Sequence, residues 1–201
     1  MELADTLGNL LSRATSKRLN PSQVLKTLIV TFQYFYNITS QEVPAFSSYP
    51  RTPSSEALIG QLETLGERVG ESYADFRFYD GLVAVMDTLR ATNSLVQEEQ
   101  PWALGKTHPE RRDWVLGVVL ESLRVCGLLL QPCVPSISSK LLDRLNVPME
   151  GRNWQAAKLI LRGQSRPLGE DKGVLISKIY AQKSAKLEKP KRKKKTAKNM
   201  E

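Results

Sequence analysis

Apolar residues recur every three or four positions along several stretches of the chain, which is the spacing of an amphipathic α-helix. Polar residues fill the positions between them, so that Asn9 and Arg13 fall on the polar side of the first stretch. The apolar rows are Leu3, Leu7, Leu10, Leu11 and Ala14; Leu58, Leu62, Leu65, Val69 and Tyr73; Leu82, Met86, Leu89 and Val96, with Asn93 in the same row; and Ile137, Leu141, Leu142 and Leu145. These rows predict four amphipathic helices.

The stretch 114–130 differs because it is apolar almost all round. A helix without a polar face is typical of a buried position, so we expect this stretch to form the central helix of the fold. Pro132 and Pro135 follow it and should end it, and Ser136 is placed to cap the next helix through its hydroxyl. Five helical segments joined by short proline-containing connections predict an all-α helical bundle.

Other parts of the chain lack this order. Residues 22–41 are rich in β-branched and aromatic side chains but show no period, and we interpret them as an insertion. Towards the C-terminus the pattern indicates only a short helix at 154–161 and a short extended piece at 174–180. We therefore expect a helical domain over residues 1–182 and a lysine-rich tail over 183–201, which is too poor in apolar residues to fold.

The net charge of +8 belongs almost entirely to that tail. Residues 183–201 contain nine Lys or Arg and two acids, a charge of +7, which leaves +1 for the first 182 residues. Such a run fits RNA phosphate contacts, a nuclear-localisation-like signal or a solubilising tail equally well. The candidate phosphate contacts are Lys106, Lys191, Arg192, Lys193, Lys194 and Lys195.

Several classes of chemistry are excluded by residue counts. The chain has one histidine, His108, so it holds no signature that needs two. It has no glycine-rich phosphate loop and no serine or cysteine in a nucleophile-elbow context. Cys126 and Cys133 do not form a CxxC motif and are expected to be reduced thiols. The most apolar window, 24–38, is too short for a membrane span, and the first residues resemble neither a signal peptide nor a transit peptide. We expect no catalytic residue, metal or cofactor in this chain.

Two sets of side chains suggest base recognition. Asn9 and Arg13 are four residues apart on one helix face, and an amide beside a guanidinium has the groups that read a base edge. The alternative is an ordinary solvated helix face. Trp102 follows Pro101 at a helix corner, where its ring could stack on an unpaired base; the alternative is a tryptophan that caps the core. Trp114 and Trp154 have the context of core residues.

These residues lie within three motifs that resemble the anticodon-binding domain of methionyl-tRNA synthetases, a family of class I aminoacyl-tRNA synthetases. The motifs are ADTLGNLLSR at 4–13, ATNSLVQEEQPWALGK at 91–106 and LRVCGLLLQPCVPSISSKLLDRLNV at 123–147, followed by a weaker match, GVLISKIY, at 173–180. The resemblance covers most of residues 2–180. It implies the helical bundle of the class I anticodon-binding type, in which Trp102 stacks on an anticodon base while Asn9 and Arg13 recognise CAU.

The resemblance also implies what this chain should do and what it should lack. The parent activity is ATP-dependent attachment of methionine to its tRNA, but the Rossmann domain that binds ATP and methionine has no counterpart here. We therefore expect no aminoacylation by this chain alone. The implied partners are the anticodon stem-loop of a methionine tRNA and the parent catalytic domain. We expect a monomer that does not bind a membrane and that lies in the mitochondrial matrix or, alternatively, in the cytoplasm.

Two rival interpretations remain at this point. The first is a non-catalytic helical scaffold or interaction protein whose basic tail alone binds RNA. The second is the anticodon-binding module of another class I synthetase.

Overall fold

The structure is a computed structural model that describes residues 3–25, 51–105, 107–159 and 166–176. The tail and most of the predicted insertion, from residue 26, lie outside these ranges. The described residues form a π-helical turn, six α-helices, a two-stranded pair and two short 3₁₀ turns. In chain order these are Ala4–Gly8 (π), α1 Asn9–Ala14, β1 Val24–Leu25, α2 Pro53–Ala74, α3 Phe78–Glu99, α4 Pro101–Leu104, α5 Pro109–Leu129, α6 Pro135–Arg144, the 3₁₀ turns Met149–Gly151 and Trp154–Ala156, and β2 Arg166–Pro167.

Helices α2 and α3 form an antiparallel hairpin whose start is fixed by a local cap. The Thr52 hydroxyl accepts a hydrogen bond from the Ser55 amide at 3.3 Å, and Pro53 occupies the first helical position, where its missing N–H costs nothing. At the turn, Phe76 adopts a left-handed backbone conformation with φ 59° and reverses the chain. The predicted apolar rows of both helices face inward, with Tyr73, Leu82, Met86 and Asn93 only partly buried.

Helix α5 is the centre of the bundle, as its apolar sequence predicts. Every residue from Trp114 to Leu129 is buried, and the helix packs against α1, α2, α3, α4 and α6. Two of the buried residues are charged, and they form an ion pair: Arg124 Nε donates to Glu121 Oε2 at 2.8 Å. Arg124 also donates to the carbonyls of Ala156 and Lys158, at 2.7 and 2.6 Å. The pair therefore fastens the segment after α6 to the central helix.

Arg144 at the end of α6 joins the two ends of the described chain. Its guanidinium donates to the Thr15 carbonyl at 3.2 Å, to Gln23 Oε1 at 3.1 Å and to the Gly169 carbonyl. Next to these contacts Val24 pairs with Pro167 in a two-residue antiparallel ladder. This pair is too small to change the class of the fold, and the all-α prediction is confirmed.

The structure corrects three local predictions. Ser136 does not cap α6, because the helix begins one residue earlier with Pro135 at its first position. Trp154 is not a core residue: it is 38% exposed, and its ring packs at a tilt against Tyr73, with 5.9 Å between the ring centroids. Over residues 154–159 the helix expected at 154–161 is replaced by one 3₁₀ turn, and residues 160 and 161 lie outside the described ranges.

The predicted extended piece at 174–180 has no strand pairing over residues 174–176, and its other positions lie outside the described ranges. Cys126 is buried, Cys133 is partly buried, and both are free thiols. Burial raises the pKa of the Cys126 thiol to about 12. No helix within the described ranges is long and apolar enough to cross a membrane.

Two glycines of α2 should respond in opposite ways to the same substitution. A Cβ at Gly60 would meet no atom within 4 Å, whereas a Cβ at Gly66 would come within 2.8 Å of the Ala157 carbonyl oxygen. We expect Gly60→Ala to raise the free energy of unfolding by about 0.5–1 kcal/mol through helix propensity. Gly66→Ala should lower it by about 1–3 kcal/mol, because backbone must move to relieve the overlap. Urea titrations followed by circular dichroism measure both changes, and equal stabilisation by the two alanines would contradict the packing described here.

Candidate nucleic-acid interface

A sharp corner between α3 and α4 exposes a tryptophan. Gln100, the last residue before α4, has left-handed backbone angles of φ 44° and ψ 59°, and this ends α3. Pro101 then starts α4 and is buried, while Trp102 is 42% exposed. Trp102 is therefore not a fully buried core residue, because a large part of it faces solvent.

Arg13 from the last turn of α1 lies against this tryptophan. Its Cζ atom is 5.1 Å from the centroid of the Trp102 ring, which is within the distance at which a guanidinium and an aromatic ring attract each other. The two residues are 89 positions apart in sequence. The fold thus brings together two of the three residues named for base recognition.

Asn9 lies one helical turn before Arg13, at the first position of α1, and is exposed. Within the part of the chain that the structure describes, its side chain makes no hydrogen bond. An amide in this state has its donors and its acceptor available to a ligand. Asn9, Arg13 and Trp102 together form a surface that we call the stacking corner.

A cleft of about 830 Å³ adjoins the stacking corner at Asn9, which is one of the residues that line it. It lies between α1, α6 and residues 170–176, and Ser12 and Lys140 are among the side chains that line it. Lys172 also lines the cleft, and its Nζ atom is 3.5 Å from Asp143 Oδ2. Arg152 and Lys172 together hold the pKa of Asp143 below its usual range, with the Arg152 hydrogen bond as the main cause.

Two arginines at the start of α5 support the α4 segment, and sequence reasoning missed both. Arg111 Nε donates to Glu99 Oε2 at 2.9 Å, and a second nitrogen of the same guanidinium donates to the other carboxylate oxygen. Arg112 donates to the Gly105 carbonyl at 3.3 Å. Periodicity gave no signal for these contacts, because their partners lie beyond a helix break.

All six predicted phosphate contacts lie outside the described residues. They are Lys106, Lys191, Arg192, Lys193, Lys194 and Lys195. Within the described ranges, no three His, Cys, Asp or Glu side chains converge as potential metal ligands.

Comparison with known families identifies the domain. Residues 43–187 match the family model described as the anticodon binding domain of methionyl tRNA ligase. The chain belongs to this family. The methionine type is therefore assigned in preference to the other class I synthetases, and an anticodon-binding domain in preference to a scaffold.

Relatives of two kinds support the assignment. The mitochondrial methionine–tRNA ligase of Homo sapiens is 36% identical over 188 residues, which cover 89% of this chain and 31% of that protein. The methionine–tRNA ligase of the bacterium Caldanaerobacter subterraneus subsp. tengcongensis is 30% identical over 195 residues, covering 94% and 27%. This anticodon-binding domain thus spans about a third of the length of the curated relatives it matches.

A solved structure shows the same fold. The apo form of the Mycobacterium tuberculosis methionyl-tRNA synthetase superposes with a TM-score of 0.72 at 24% identity, covering 90% of this chain and 33% of that one. At this level of identity the likeness concerns the fold alone. It supports the all-α bundle described above.

The side chains of Asn9 and Arg13 should matter little for stability, because neither makes a hydrogen bond among the described residues. We expect Asn9→Ala and Arg13→Met each to change the free energy of unfolding by no more than about 1 kcal/mol. Leu10, on the opposite face of α1, is 1% exposed. Leu10→Ala should therefore lower the free energy of unfolding by about 2–5 kcal/mol. Thermal unfolding of the three variants measures the contrast. If Asn9→Ala lowered the free energy of unfolding as much as Leu10→Ala does, the Asn9 amide would have a role in stabilising the fold.

Proposed function

We propose that the stacking corner binds the anticodon of a methionine tRNA. The observation that carries the proposal is the position of the Arg13 guanidinium over the Trp102 ring, with the exposed amide of Asn9 one turn away. A base can stack on the part of the Trp102 ring that Arg13 leaves open. Stacking of this kind contributes about 1–3 kcal/mol per base and accepts any base.

Specificity then has to come from Asn9 and Arg13. An amide and a guanidinium offer directional hydrogen bonds to a base edge, and a mismatched base leaves such groups unpaired. We infer that these two side chains select the CAU anticodon, while Trp102 supplies sequence-independent affinity. The bases of a single-stranded loop can be splayed out to reach such a surface.

The activity of the whole protein follows from the family by analogy. We propose that the domain serves ATP-dependent formation of methionyl-tRNA, with ATP and methionine bound by a separate catalytic domain. The domain needs no cofactor of its own in this proposal and does not aminoacylate alone. It acts as a monomer, and the lysines of 191–195, Arg192 and Lys106 add salt-dependent contacts to RNA phosphates.

The mitochondrial matrix is the proposed compartment. Several relatives, including those of Homo sapiens and Bos taurus, are named mitochondrial enzymes. Bacterial relatives are also similar, which fits an organelle that shares a bacterial type of translation machinery.

Removal of the Trp102 ring should weaken binding of a CAU stem-loop RNA. We expect Trp102→Ala to raise the Kd by about 5- to 150-fold, the equivalent of about 1–3 kcal/mol of lost stacking. Asn9→Ala should instead reduce the preference for CAU over a loop altered at one anticodon base. Fluorescence anisotropy with both loops, at two salt concentrations, measures affinity and preference together.

A chain truncated before Lys183 is the control for the basic tail. It should keep the preference for CAU while its affinity falls and becomes less dependent on salt. Binding that is equal for both loops, and that disappears with the tail, would mean that only charge attracts RNA and would refute the proposal.

A further inference from the structure

Trp102 lies on a helix, α4, that is too short to be stable by itself. Helix α4 has four residues, Pro101–Leu104, and a single helical turn is unstable in isolation because nucleation costs more than one hydrogen bond returns. The direction of the tryptophan ring must therefore depend on the contacts that hold α4 in place, which are its packing against α5 and the hydrogen bonds at its two ends.

The first grip lies just before α4. Glu99 and Arg111 are nearly buried, with 8% and 12% of their side chains exposed, and they pair through two parallel hydrogen bonds. Thr52, the cap of α2, lies 3.4 Å from the same carboxylate. The Arg111 guanidinium also covers the ring of Trp114, 4.6 Å from its centroid. The end of α3 is thus tied to α2 and to α5 at once.

The second grip lies just after α4. Arg112 donates to the carbonyl of Gly105, the residue that ends the helix. Nε and a terminal nitrogen of the same guanidinium donate to Asp113 Oδ1, at 3.0 and 2.8 Å. Because Asp113 also holds the Arg112 guanidinium, we expect Arg112 to restrain the Gly105 carbonyl.

We propose that Arg111 and Arg112 are positioning residues for Trp102. The two arginines hold both ends of α4, so that the Trp102 ring stays in contact with the guanidinium of Arg13. Both arginines lie in the first turn of α5, the most completely buried element of the fold. The position of the stacking corner is thereby fixed by contacts with the central helix rather than by the surface loop. This inference rests on the proposed function only for its consequence, the discrimination between anticodons.

The test replaces each arginine with lysine in the full chain. Lysine keeps the positive charge but loses the planar fork that makes the paired contacts, so the attraction to phosphate is preserved. With 5-fluorotryptophan in place of tryptophan, the fluorine spectrum gives one signal per ring, and Trp102→Phe identifies the signal of Trp102. In the free chain we expect Arg111→Lys and Arg112→Lys to shift or broaden that signal.

The consequence for recognition is measured with the CAU stem-loop and the loop altered at one anticodon base. We expect Arg111→Lys to reduce the ratio of the two affinities by about tenfold and Arg112→Lys by about threefold, as fits the loss of a paired and of a single hydrogen bond. The salt dependence should not change. Arg77→Lys is the matched control, since Arg77 pairs with Asp75 and Asp80 at the opposite end of α3 and should alter neither readout.

Glu99→Gln provides a second route to the same test if a lysine variant does not fold. It keeps the shape of the side chain, removes the charge that Arg111 meets, and should also move the Trp102 signal. An unchanged signal and an unchanged affinity ratio in folded variants would overturn the positioning role. So would an equal loss of affinity for both loops, which indicates a structural role only. A wild-type chain that binds both loops equally would overturn the proposed function instead, and the fluorine signal alone would then decide the positioning role.

Discussion

The burial of α5 on all sides is the constraint on which the rest of this fold depends. A helix with no polar face gains stability only when neighbours cover its whole circumference, and here α1, α2, α3, α4 and α6 all pack against it. Each of those helices needs one apolar stripe and can leave its other face to solvent. The polar face of α1 is therefore available for a ligand because the core is satisfied by the opposite face.

A charged pair inside this core shows how the bundle extends to its outer segment. Burial of a charge is unfavourable unless it is paired and hydrogen-bonded, and Glu121 alone could not satisfy the guanidinium of Arg124. The remaining donors reach the carbonyls of Ala156 and Lys158, so the segment that carries them must lie close to α5. The contact of Gly66 with Ala157 is part of the same arrangement, since α2 has to leave room for that segment.

Sequence patterns predicted the parts of this structure that depend on periodicity and missed those that depend on geometry at helix ends. The stripes of α1, α2, α3 and α6 and the buried α5 follow from which residues avoid water. Ser136 failed as a cap because proline at the first helical position took precedence. The approach of Arg13 to Trp102 has no periodic signal, and it was expected only through the resemblance of two separate motifs. The pairing of Glu99 with Arg111 was missed, because nothing in their spacing shows that a helix break brings them together.

The break itself explains how an aromatic ring remains exposed at this position. If α3 continued past Glu99, residue 102 would follow the buried Leu95 by seven positions, nearly two full turns, and would point into the core. The left-handed conformation of Gln100 prevents this, although it is unfavourable for a residue with a Cβ by about 1–2 kcal/mol. Pro101 then fills the inward position and Trp102 turns outward. The strained backbone of Gln100, together with the hydrogen bonds at both ends of α4, keeps the Trp102 ring at the surface. Strain retained in this way is common at sites that bind a ligand.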